Sequence, residues 1–220
     1  MSEENKLSKL TFDELKKAVK NRWPGAVVGD RSKKALPFST GMSNFDSLFE
    51  GGGIPTGQLV EITGGVSSGK TSFLFRILAT LTETCTIAYL DFSNSFFPSA
   101  AESSGIDIRR VIVVRSLDFR DGLRAAELLL RHRIASCIVF DLVNIKGSLP
   151  ITMMHRLRAQ IVRANSMIIF LTEGGAELIP ASMISLRLEV KRKSRADIEV
   201  LIVKSRVSNS GFNTELTINE

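Results

Sequence analysis

An α/β fold is predicted, with a parallel sheet flanked by helices and antiparallel strands added at the C-terminal edge. Three observations predict it. The segment "EITGGVSSGKTS", Glu61 to Ser72, places G-x-x-x-x-G-K-T between an apolar run, "QLVEIT", and a helical pattern, "TSFLFRILATL". From there to Glu173, short apolar runs alternate with amphipathic stretches, the rhythm of β/α units. After Glu173 come three strand-like runs with no helix between them, which suits antiparallel neighbours.

The elements follow in order. "MSEENKLSKL" is polar and is expected to fray. "TFDELKKAVKNRW" carries Phe12, Leu15, Val19 and Trp23 near helical spacing, and Pro24 and Gly25 end it. Its apolar face needs cover, from this domain or from a neighbouring subunit. "VVGDRSKKALPF" is a basic linker in which Lys33 and Lys34 form a solvated charge pair. Residues 1–38 are therefore an arm, and residues 39–220 the core.

The core opens with "STGMSNFDSLF", a turn and short helix, and the loop "EGGGIPTGQ". After the first strand and its helix, "TIAYLDF" is a strand, "PSAAESSGI" a short helix and "RRVIVVR" a strand. "DFRDGLRAAELLLRHR" is helical, with Leu123, Glu127 and Leu130 at turn spacing. "CIVFD" is a strand ending in an acid. "LPITMMHRLRAQIVRAN" is a helix with Pro150 near its start and a core-facing stripe of Met153, Met154, Leu157 and Ile161. "SMIIFLT", "MISLRLEV", "DIEVLIVK" and "TELTI" complete the strands.

Composition narrows the class. An apolar fraction of 44% suits a globular core, and a net charge of +6 favours an acidic partner such as nucleic acid or nucleotide, or simply a soluble surface. Cys85 and Cys137 sit in or beside apolar runs, as core thiols do. His132 and His155 are too few and too scattered for a His-based metal centre. The N-terminus shows no secretory pattern and no stretch is long enough to span a bilayer, so a cytoplasmic, nucleoid-associated setting is expected.

The glycine-rich segment carries the chemistry. Gly64, Gly65, Ser67, Ser68 and Gly69 let successive backbone N–H groups converge on phosphate oxygens, and the following helix adds its positive end. Lys70 can reach the β- and γ-phosphates, Thr71 can ligate Mg²⁺, and Ser72 is the last nucleotide-binding residue expected in the loop. A second acid is needed for the metal, and Asp141 at the end of "CIVFD" supplies it. Asp91 also ends a strand, either as an acid behind the metal ligand or as a turn residue. "RLEVKRKSR" gathers Arg187, Lys191, Arg192, Lys193 and Arg195, either as a patch for a phosphate backbone or as a solvated turn; no aromatic interleaves with it.

"STGMSNFDSLFEGGGIPTGQLVEITGGVSSGKTS" resembles the start of the RecA recombinase core, with a small-residue turn, short helix, G-G-x-P-x-G loop, strand and phosphate loop in that order. The resemblance extends to Ile218. It implies ATP or ADP with Mg²⁺ as cofactors and makes "SMIIFLTE" similar to the strand carrying the γ-phosphate sensor. It also makes "IEVLIVKSRV" similar to a late strand whose basic pair, Lys204 and Arg206, reaches a neighbour's ATP. The departures are specific. Ser93 stands where the family has its catalytic Glu, Ala100 near its adenine-stacking Tyr, and Glu173 in place of its sensor Gln. The segments matching its two DNA loops, Asn144 to Pro150 and Gly174 to Pro180, are short, the second containing Glu177, and no counterpart of the family's C-terminal domain is expected.

Among RecA-like chains the sequence is most similar to the ImuA group. That implies an accessory protein of DNA repair and damage tolerance, in translesion synthesis and an SOS-type response. It would bind nucleotide weakly or as a switch, and its partners would be RecA or an error-prone polymerase complex. DNA contact and self-association stay open, and Phe12, Leu15, Val19 and Trp23 are the candidate interface. Two alternatives stand beside it: a DNA-dependent recombinase-type ATPase, with Asp91 acting at the water, and a nucleotide-gated regulator without DNA contact. Hydrolysis is left open.

Overall fold

A computed structural model describes residues 37–115, 118–145, 147–174, 178–194 and 197–207, together with the backbone of 215–219. The helix expected over residues 11–23 lies outside them. In chain order the strands are β1 (Leu59–Gly64), β2 (Ile87–Asp91), β3 (Val111–Arg115), β4 (Cys137–Asp141), β5 (Met167–Glu173), β6 (Leu186–Arg192), β7 (Asp197–Ser205) and β8 (Glu215–Asn219). The α-helices are α1 (Ser43–Asp46), α2 (Lys70–Thr84), α3 (Pro98–Ser103), α4 (Phe119–Arg131) and α5 (Ile151–Ala164).

The strands form one sheet in the order β3-β2-β4-β5-β1-β6-β7-β8. The first six run parallel, while β7 is antiparallel to both β6 and β8. The expected architecture is therefore present, with one refinement. Among the described residues no α-helix stands between β5 and β6, yet β6 lies parallel to β1, with Val60 opposite Leu186 and Thr63 opposite Glu189. The antiparallel part begins only at β7.

Each face of the sheet has its own core, which is why the central strands are predominantly apolar and buried on both sides. On one face, Val60, Ile62, Val139 and Ile169 pack with Phe73, Ile77 and Leu81 of α2. On the other, Leu59, Leu90, Phe140 and Phe170 pack with Leu123 of α4 and with Met154, Leu157 and Ile161 of α5. The stripe expected on α5 thus faces the core. Pro150 stands at its N-cap and Asn165 ends it in the left-handed conformation. Cys137 is fully buried as a thiol, pushed well above the ordinary range by burial; Cys85 is half-buried and also free. Phe38 bridges Ile54, so the start of the core is tied down by backbone hydrogen bonds.

Strand direction positions the site. The carboxyl ends of the parallel strands, β6 included, share one edge of the sheet. The end of β7 lies at the opposite edge.

Candidate nucleotide-binding site

The phosphate loop joins β1 to α2. Ser67 (φ 57°) and Gly69 (φ 87°) are left-handed, which turns the backbone into a concave loop before the helix starts at Lys70. Two glycines are required by contact. A Cβ on Gly64 would lie 2.4 Å from Ser68 Oγ and 2.5 Å from the Val190 carbonyl oxygen. One on Gly69 would lie 2.5 Å from Ile198 Cγ2. Gly65 meets no such neighbour. Lys70 is buried to 7% exposure and donates from Nζ to the Gly65 carbonyl at 3.0 Å, so its ammonium folds back across the loop. Thr71 and Ser72 face solvent at the first turn of α2. A cavity of about 340 Å³ lies against residues 67–72 and Arg192.

This loop fits a phosphate group. Its concavity sits on the amino end of a 15-residue helix whose N-cap, Gly69, has no side chain to satisfy the first N–H groups. The buried Ser68 hydroxyl has no hydrogen-bond partner among the described residues.

At the same edge, Asp141 is 3% exposed and its carboxylate is already held. Tyr89 donates from its hydroxyl to Oδ2 at 2.7 Å, Ser95 Oγ to the same oxygen at 2.8 Å, and the Val143 N–H to Oδ1 at 3.2 Å. Ser93 Oγ donates in turn to Ser95 Oγ at 3.0 Å. A carboxylate offers about four acceptor positions, so three donors leave Asp141 room for one more contact, through a metal or its water. Burial, and then the Asp141 charge, push the Tyr89 phenol far above its ordinary value, so it stays a donor.

Asp91 lies opposite Asp141 in the β2–β4 register. Its oxygens accept from the backbone N–H groups of Ser95 and Phe96 at 2.9 and 3.0 Å, and Arg115 Nε is 3.7 Å away. Asp91 therefore fixes the turn that presents Ser93 and Ser95. Glu173 ends β5 opposite Gly64, beside the loop.

The basic residues divide. Arg187 donates from Nε to Glu61 Oε2 at 2.6 Å, and Thr172 Oγ1 donates to Glu61 Oε1 at 3.0 Å, so this arginine neutralises a buried acid on β1. Lys191 pairs with Glu189 at 3.1 Å, and Lys193 pairs with Glu199. Arg192 turns the other way and donates from Nε to the Ser67 carbonyl of the phosphate loop at 3.0 Å. Arg195 lies outside the described residues, as do Glu177, Phe12, Leu15, Val19 and Trp23.

Lys204 and Arg206 sit at the far edge of the sheet. Arg187 faces Lys204 in register, Lys204 Nζ donates to the Ala181 carbonyl, and the Arg206 N–H donates to the Ser185 carbonyl. Burial, and then the charges of Arg206 and Arg187, hold Lys204 below its ordinary value. This pair does not converge on the phosphate loop of its own chain.

Sequence reasoning missed Tyr89, Ser95 and the Glu61–Thr172–Arg187 network. Two of them carried a signal: a Tyr and a Glu inside apolar strands each need a polar partner. Among the described residues no group of three or more His, Cys, Asp or Glu could hold a metal ion, and no helix is long and apolar enough to cross a membrane.

Residues 13–173 match the RecA N-terminal domain family. The chain belongs to that family. Protein RecA of Lactobacillus delbrueckii subsp. bulgaricus is 27% identical over 229 residues, covering 88% of this chain and 69% of that one. Protein RecA of Lactobacillus acidophilus is 33% identical over 133 residues, covering 59% of this chain and 37% of that one. The chain thus spans between about a third and about two thirds of the length of these RecA relatives. In fold, it is similar to a crystal structure of the RadB recombinase, with TM-score 0.63 at 19% identity, over 81% of this chain and 94% of that one. The family match begins at residue 13, inside the segment separated above as an arm.

Proposed function

We propose that this chain is a RecA-family accessory protein of DNA repair and damage tolerance that binds ATP or ADP with Mg²⁺ as a switch and turns it over slowly or not at all. One observation carries the reading. The loop between β1 and α2 keeps its left-handed Gly69, its lysine and the open amino end of the helix, whereas the turn after β2 brings only hydroxyls, Ser93 and Ser95, against Asp141. A water attacking a γ-phosphate must be oriented or deprotonated, and a serine hydroxyl is a poor substitute for a carboxylate in that task. The loop backbone, Lys70 and Ser68 would hold the phosphates, and Thr71 with Asp141 would hold Mg²⁺. The bound metal would neutralise phosphate charge, and Tyr89 would keep Asp141 oriented toward it.

The partners we propose are RecA itself or an error-prone polymerase complex, as in the ImuA group. Lys204 and Arg206 suit a role toward an adjacent subunit, because they lie at the edge remote from their own phosphate loop. A second reading, a nucleotide-gated regulator without DNA contact, is favoured by the pairing of Arg187, Lys191 and Lys193 with acids of their own chain.

The test is phosphate release from Mg–ATP, with and without single-stranded DNA, beside Lys70→Ala and together with direct nucleotide binding. Binding that Lys70→Ala abolishes, with release no faster than in that variant, is expected. DNA-stimulated turnover would instead establish a recombinase-type ATPase.

A further inference from the structure

We propose that Arg192 is a phosphate-binding residue of the nucleotide site, delivered in the same chain from the end of β6. This rests on the nucleotide-binding reading above and adds a residue to that site. The ligand chemistry is a polyphosphate chain.

Strand geometry brings Arg192 there. Because β6 is parallel to β1, its last residue emerges at the edge where the phosphate loop begins. Alternation along β6 then separates Arg192 from its basic neighbours. Lys191 shares a face with Glu189 and Glu199, while Arg192 shares the α2 face with Leu188 and Val190 and lies opposite Ile198. The guanidinium consequently rests on the loop. Nε donates to the Ser67 carbonyl at 3.0 Å, and Nη2 lies 3.1 Å from the point that a Cβ on Gly69 would occupy.

The cavity that Arg192 borders is the one lined by Lys70 and Thr71. The buried Ser68 hydroxyl, without a hydrogen-bond partner among the described residues, belongs to the same loop. The bond to the Ser67 carbonyl fixes the plane of the guanidinium beside the helix amino end. A planar fork held at that place matches the geometry of phosphate oxygens. It also adds a positive charge to a site otherwise served by Lys70 and backbone dipoles. Gly69 leaves the space this arrangement needs, since any side chain there would collide with Ile198 and crowd the guanidinium.

The experiment is calorimetric titration of the full chain with Mg–ADP, Mg–ATP and inorganic tripolyphosphate. The variants are Arg192→Ala, Arg192→Lys and Lys193→Ala, each checked for folding by circular dichroism. Loss of a charge-assisted hydrogen bond predicts that Arg192→Ala weakens all three ligands by about tenfold or more. Arg192→Lys should recover part of that loss, and Lys193→Ala should leave binding unchanged. If Arg192→Ala does not fold, a weakened affinity in Arg192→Lys alone carries the test. Affinities within about twofold of wild type, in a protein that does bind these ligands, overturn the proposal. So does a loss of single-stranded DNA retention with nucleotide affinity intact, which would return Arg192 to a DNA-facing patch. If wild type binds none of the three, the nucleotide-binding reading fails and this inference falls with it.

Discussion

Replacing Gly69 by alanine tests the phosphate loop where sequence and packing meet. At φ 87° an L-residue sits in the left-handed region, which costs about 1–2 kcal/mol for a residue with a Cβ. The new methyl would also lie 2.5 Å from Ile198 Cγ2, where carbon atoms normally keep roughly 3.5–4.0 Å. Ile198, on β7, is 1% exposed and belongs to the core on the α2 face of the sheet, so it cannot simply swing away. Relieving such an overlap costs about 1–3 kcal/mol. The sum is about 2–5 kcal/mol, a large part of the roughly 5–15 kcal/mol that holds a domain folded. Gly65→Ala is the internal control, because none of the described residues lies within 4 Å of its Cβ position, and it should change stability by no more than about 0.5 kcal/mol. Urea unfolding of both variants, with the slope checked for constancy, measures the difference. Adding Ile198→Ala to Gly69→Ala should recover about 1–3 kcal/mol relative to the sum of the two single changes, since the overlap disappears while the dihedral cost stays. A Gly69→Ala protein as stable as wild type would refute the reasoning, as would strict additivity in the double variant.

Two further predictions concern buried charge and its partners. Tyr89 is the only tyrosine in the chain, so phenolate absorbance reports it alone. Its folded value is raised, chiefly by burial and then by Asp141, above the ordinary 10.0. Its contribution to stability is therefore complete below pH 10 and is lost as pH rises toward the folded value, at about 1.4 kcal/mol per pH unit. Alkaline titration followed by absorbance and circular dichroism together should show phenolate appearing only with unfolding; a midpoint near 10 in a protein still folded would contradict the Tyr89–Asp141 bond. On β1, Arg187→Ala leaves Glu61, 2% exposed, without its counter-ion and should cost about 3–5 kcal/mol. Glu61→Gln keeps an acceptor for Thr172 and should cost about 1–3 kcal/mol. Equal unfolding free energies for these two variants would mean that the pair carries little of the local stability.

What the sequence determined by itself was the local code. G-x-x-x-x-G-K-T between an apolar run and a helical stripe announced a strand, a tight left-handed turn and a helix, because the glycines meet a backbone demand that is local to the turn. Alternating apolar runs likewise announced a sheet buried on both faces, and the Met154–Leu157–Ile161 stripe announced the side of α5 that faces it. The tertiary structure decided which charges meet. Nothing local tells that β6 runs parallel to β1 and β7 antiparallel to it, yet those directions send Arg192 to the phosphate loop and Lys204 to the opposite edge. In "RLEVKRKSR" the cations are consecutive neighbours, but strand alternation points Lys191 and Arg192 to opposite faces, and the partners Glu61 and Glu199 come from strands that only the assembled sheet places beside them. The same holds for Asp141. Its position at a strand end was legible, whereas the Tyr89, Ser95 and Ser93 hydroxyls that hold it arrive from the neighbouring strand β2 and its turn, 46 to 52 positions away for the two that touch it. Pairing between distant segments is set by the burial of whole faces, and it was that long-range packing that chose the partners of each charge in this site.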